Sequence, residues 1–156
     1  MSPNRSTPPD FALTWQIFTV LGLVFLFVGG VSLFSPLFPL RIGVIEWEFG
    51  TASEFFDKVP IFGLGLGFLM AAGLATGVRL RVRTLALVCI FVALLMWFTA
   101  GLYATVVPQA YNAAPSPTAL TAIKKAVGKA AIQILVYPVG FLWMGIWSWR
   151  RTLSRH

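Results

Sequence analysis

The sequence predicts an all-α integral membrane protein, a four-transmembrane-helix bundle with a structured extracytoplasmic loop between helices 1 and 2. Three observations predict it. Hydrophobic residues make up 58% of the 156-residue chain and charged residues only 11%, against roughly a quarter charged in soluble domains. The apolar residues fall into four runs, each near the ~20 residues that carry a helix across a bilayer. The charges collect at the ends of these runs, where lysine and arginine fix topology.

Three regions are expected: a disordered tail over 1–12, one membrane domain over 13–149, and a basic tail over 150–156. The tail MSPNRSTPPD is polar and proline-rich, a composition that cannot bury a core. The first span is placed at 13–33. It is too long for the apolar core of a signal peptide and is read as an uncleaved anchor. Trp15 suits a headgroup layer, and Gly22, Gly29 and Gly30 leave room for a neighbouring helix. Ser35-Pro36 and Pro39 end the span.

Four of the five acids follow in the stretch 41–60: Glu46, Glu48, Glu54 and Asp57. VIEWEF at 44–49 alternates apolar and acidic residues, which predicts a short extended segment. Gly50 then allows a turn, and Thr51-Ala52-Ser53-Glu54 has the form of a capping box opening a short helix. Pro60 is expected at the first helical position of the second span, 60–78. Along that span Gly63, Gly67 and Ala71 recur every four residues, as do Gly73 and Gly77. Small residues at this spacing make a flat helix-packing face.

Arg79, Arg81 and Arg83 form a basic turn before the third span, 85–107. The proline-rich stretch PQAYNAAPSP is read as a loop, closed by Ser116 as N-cap and Pro117 at the first helical position. An amphipathic lead-in bearing Lys124, Lys125 and Lys129 runs into the fourth span, 131–149. A bend is expected there, at Gly128 or at Pro138, which lacks an amide hydrogen. Arg150, Arg151 and Arg155 close the chain.

Placing both termini in the cytoplasm puts seven basic residues inside, among them the three arginines of the shortest loop, and five outside. The expected location is the cell membrane, multi-pass, with the acidic stretch outside. The net charge of +7 is therefore assigned to topology and to anionic lipid. Arg79, Arg81, Arg83, Arg150 and Arg151 are the candidates, and nucleic acid is not expected as a partner.

Little catalytic chemistry is legible. Cys89 is the one cysteine and His156 the one histidine, so paired-thiol exchange, a histidine zinc cluster and axial haem ligation have no residues to build on. No catalytic residues and no cofactor are assigned. The four acids are weak candidates for a hard cation, which needs several oxygen ligands. They can equally pair with nearby lysines. The spans contain no ionisable residue of the kind that marks ion-coupled transport. Gln133, Thr76, Thr99 and Ser148 are read as packing residues. The expected function is a non-enzymatic structural or accessory subunit, its partners the bilayer, other membrane subunits or further copies of itself. The alternatives are a small oligomeric channel or transporter for a neutral or lipid-like solute, and an extracytoplasmic cation sensor.

Overall fold

Four long helices and one short turn make up the structure, a computed structural model that describes residues 9–153, with side chains from residue 13. The helices are α1 (Pro9–Phe34), α2 (Ile45–Thr76), α3 (Arg79–Asn112) and α4 (Pro117–Leu153), and a 3-10 turn at Ser35–Leu37 follows α1. No strand occurs among the described residues. Each of the four helices is long and apolar enough to cross a membrane.

The helices outrun the apolar segments, and this corrects several expectations. The segment 44–49 is not extended: α2 begins at Ile45 and continues through Gly50 and Pro60 to Thr76. Ile45, Phe49, Ala52, Phe56 and Val59 share one helical face, and Phe56 and Val59 are fully buried. Thr51 therefore caps nothing. Its hydroxyl donates to the Pro36 carbonyl at 3.3 Å, which ties α2 to the end of α1. Glu46 and Glu48 occupy the first turn of α2, where the helix dipole favours negative charge. Glu48 Oε1 accepts the Gly43 amide at 2.8 Å. The structured loop thus contracts to the turn and residues 38–44.

Residues 9–12 belong to α1 rather than to a disordered tail, and residues 1–8 lie outside the described residues. Arg79, Arg81 and Arg83 form the first turns of α3, because the chain reverses over Gly77 and Val78 alone. Gly77 makes that possible with φ +71°, the left-handed conformation that ends many helices. The third helix passes through Pro108, so the expected loop shrinks to 113–116. Ser116 Oγ accepts the Ala119 amide at 3.2 Å, an N-cap with Pro117 next to it as the sequence implies. From there α4 runs uninterrupted through Gly128 and Pro138 and takes in Arg150 and Arg151. Residues 154–156 lie outside the described residues.

Helix α2 is central, packing against α1, α3 and α4. The second tight pair is α3 with α4, whereas α1 meets neither α3 nor α4. Val82, Ala86, Cys89, Ala93 and Met96 form the buried seam of α3, and Phe141, Gly145, Ser148 and Thr152 that of α4. Steps alternating between three and four residues suit two helices packed side by side. On the other flank, α1 sits close to α2 because both present glycine. A Cβ on Gly65 would lie 2.6 Å from the Leu26 amide nitrogen and 2.9 Å from the Gly22 carbonyl oxygen.

The charges fall in two layers. Asp57 and Lys129 pair at one end, and Arg83 meets Thr152 at the other. Residues 59–76 of α2 and 130–149 of α4 carry no charge. At 1.5 Å per residue the two stretches rise about 27 and about 30 Å, close to the thickness of a bilayer's hydrocarbon core.

Candidate functional site

A long concavity follows from the isolation of α1. With α1 and α3 both against α2 but not against each other, a groove of about 790 Å³ opens between them. Its floor is α2, from Trp47 and Glu48 down to Phe62. One wall is the end of α1, around Gly30 and Phe34, and the other is α3 from Val88 to Val106.

The lining is nearly devoid of free polar groups. Thr99 and Thr105 donate to carbonyls of their own helix, Leu95 at 2.9 Å and Leu102 at 2.7 Å. Thr51 is engaged with Pro36. Each threonine has thus placed its hydroxyl hydrogen on backbone. Glu48 is the one charged side chain of the lining, and it sits at the end nearest the acids. Tyr103 also lines the groove, its ring between Phe49 (5.3 Å, stacked) and Phe56 (5.9 Å, edge-on).

The four acids do not gather. Asp57 accepts the Lys129 ammonium at 2.7 Å and Gln133 Nε2 at 2.9 Å, two residues one turn apart on α4. The ion pair is exposed on the lysine side and so contributes little by itself. The bond from Gln133 matters more, because Gln133 is buried. Glu48 points to Gly43, while Glu46 and Glu54 are exposed. Among the described residues no three acids, histidines or cysteines come together in a metal-binding group.

At the opposite end the arginines do converge. Arg83 Nε donates to Thr152 Oγ1 at 3.3 Å and its guanidinium lies 5.8 Å from the Trp149 ring centre. Arg151 stacks over Trp147 at 4.1 Å. Arg79 and Arg151 border one small crevice beside Gly77. Arg81 and Arg150 are exposed.

The proposed packing face of α2 divides in three. Gly63 makes room for the Phe141 ring and Gly73 for Val82, so both serve contacts inside the molecule. Gly77 is a helix terminator with open space around it. Gly67 has nothing within 4 Å of the place a Cβ would occupy, and Ala71 is half-buried. The close approach is made instead by Gly65, which lies off the four-residue repeat, and by Gly22 and Gly29 of α1. Of the polar residues read as packing, Thr76 and Thr99 bond their own helix and Gln133 bonds Asp57. The buried Ser148 hydroxyl makes no hydrogen bond.

Sequence reasoning gave no signal for the groove. It depends on how far α1 stands from α3, which no local pattern encodes. Comparison with known proteins adds no relative: no family model, no curated protein and no solved structure matches this chain.

Proposed function

We propose that the chain is a four-span protein of the cell membrane that serves as a non-enzymatic subunit of a membrane assembly. The matched charge-free stretches of α2 and α4 support membrane insertion. The arginines at the joint end of α3 and α4 support placing that end, and both termini, in the cytoplasm. The acidic end then faces outward.

One observation carries the subunit reading. Helix α1 meets α2 alone, so the bundle is not closed, and the seam of α2 facing neither α1 nor the α3–α4 pair is left bare. Leu64 is 53% exposed there and Gly67 has open space around it. A small residue in mid-span that its own fold does not use lets another helix approach closely. A transport path through one copy has less support: the buried polar side chains Gln133, Ser148 and Thr152 are scattered along α4, and two of them are spent on internal bonds.

The test is co-purification of a tagged copy from its native membrane in mild detergent, followed by mass spectrometry. Gly67→Leu adds bulk where the fold leaves space, so the variant inserts and keeps its helical content. Loss of a stoichiometric partner in that variant supports the reading. Recovery of the wild-type chain as a lone monomer overturns it.

A further inference from the structure

The groove between α1 and α3 is long and too apolar for a soluble metabolite. Along α3 it runs from Val88 to Val106, which is about 27 Å at 1.5 Å per residue. An almost wholly apolar lining of that length matches an extended hydrocarbon chain of a lipid.

The groove also has polarity along its length. Its deep part, around Phe62, Val88 and Leu95, lies within the charge-free layer. Its far end reaches Trp47 and Glu48, beyond the level of the Asp57–Lys129 pair that bounds this layer. An amphiphile lying in it would thus have its tail in the apolar part and its head beside a carboxylate. Trp47 suits the same depth, since an indole is at home in the headgroup layer. Glu46 and Glu54 lie on the same end of α2, while Asp57 is already neutralised by Lys129. The lining threonines add no competing polar demand, because their hydroxyl hydrogens are committed to carbonyls.

We propose that this groove is a binding site for an amine-headed phospholipid, with one hydrocarbon chain between α1 and α3 and the head ammonium at Glu48. The proposal rests on the membrane insertion argued above but not on any protein partner. The lipid is a resident ligand that completes the side of the bundle α1 leaves open. Glu48 keeps its bond from Gly43 through one oxygen and offers the carboxylate's remaining capacity to the ammonium.

The experiment is native mass spectrometry of the full chain in mild detergent, with phosphatidylethanolamine, phosphatidylcholine or phosphatidylglycerol added in turn. The expected result is retention of phosphatidylethanolamine above the other two. Glu48→Gln still accepts the Gly43 amide but lowers that preference by about threefold, as for a partly exposed charge pair. Leu95→Trp fills the groove and abolishes retention, and Thr99→Phe serves as a second filling variant should the first lose helical content. Retention unchanged by a folded filling variant overturns the site. Equal retention of all three lipids, indifferent to Glu48→Gln, overturns the headgroup assignment. A polypeptide found in the lipid's place overturns the proposal as a whole. Failure of membrane insertion itself is read separately, as release of the chain from membranes by alkaline carbonate.

Discussion

Replacing Gly65 and Gly67 in turn by alanine tests the central packing statement with an internal control. Both glycines lie in the middle of α2, two residues apart. Alanine in a helix interior is favoured over glycine by about 1 kcal/mol, and that gain applies equally to both. The difference between the variants therefore isolates what the new methyl group meets. At Gly67 it meets nothing within 4 Å, so the variant gains stability. At Gly65 it would stand 2.6 Å from the Leu26 amide nitrogen, 2.9 Å from the Gly22 carbonyl and 3.1 Å from Leu26 Cα. These are backbone atoms and cannot rotate away. Restoring ordinary contact near 3.5–4.0 Å moves α1 outward by about 1 Å. Overpacking of this kind costs about 1–3 kcal/mol, so Gly65→Ala should fall below Gly67→Ala by about that amount. The assay is unfolding in mixed micelles titrated with sodium dodecyl sulfate, followed by far-ultraviolet circular dichroism. Equal midpoints for the two variants would refute the close approach of α1 and α2 at Gly65.

Other expectations follow from single contacts. Asp57→Ala strands the buried Gln133 amide and should destabilise by about 1–3 kcal/mol, whereas Lys129→Met loses only an exposed ion pair and should cost under about 1 kcal/mol; thermal melts in detergent compare them. Gly77→Ala places a Cβ in the left-handed region at φ +71° and should cost about 1–2 kcal/mol from crowding of its own backbone alone, with no clash against the rest of the fold, and Gly77→Asn should cost less in the same melts. The Cys89 thiol is fully buried, so a maleimide should label it only after denaturation, while a cysteine placed at the exposed Leu80 should react at once.

The helices were legible because hydrophobic runs of this length leave little alternative, and the Ser116–Pro117 start was legible because capping is local chemistry. The stretch 44–49 was not. Over six residues, Ile45, Trp47 and Phe49 alternating with Glu46 and Glu48 read as period two. The same Ile45 and Phe49 continue to Ala52, Phe56 and Val59 at helical spacing, and only the longer window separates the two periods. Burial of Phe56 and Val59 against the core decides for the helix, which then absorbs Gly50 and Pro60 despite their propensities. At the site level, Asp57 was recognised as an acid with lysines to pair with, but its partner was fixed only by the register of α2 against α4. A four-residue spacing marks a face without saying which helix meets it: Gly63 and Gly73 of the repeat meet Phe141 and Val82, while Gly65, outside it, makes the close backbone approach to α1.

The position of α1 connects packing to the proposed lipid site. This helix is held by α2 alone, through Gly22 and Gly29, through Phe18 and Phe25 against Phe68 at 5.5 and 5.9 Å, and through the Thr51–Pro36 bond. It is also one wall of the groove, so whatever moves α1 changes the groove's width. Gly29 is the sharpest lever, because a Cβ there would stand 2.6 Å from the Phe62 amide nitrogen, and Phe62 lies in the groove floor. Gly29→Ala should therefore push α1 off at the level of the groove without altering any residue that lines it. Lipid retention should fall, while the Asp57–Gln133 bond and the α3–α4 seam, which α1 does not touch, stay as they are. Protection of Cys89 from maleimide reports on that seam in the same sample. A variant that loses stability yet keeps its lipid would show that α1 does not frame the site, and the groove would then have to be assigned to α2 and α3 alone.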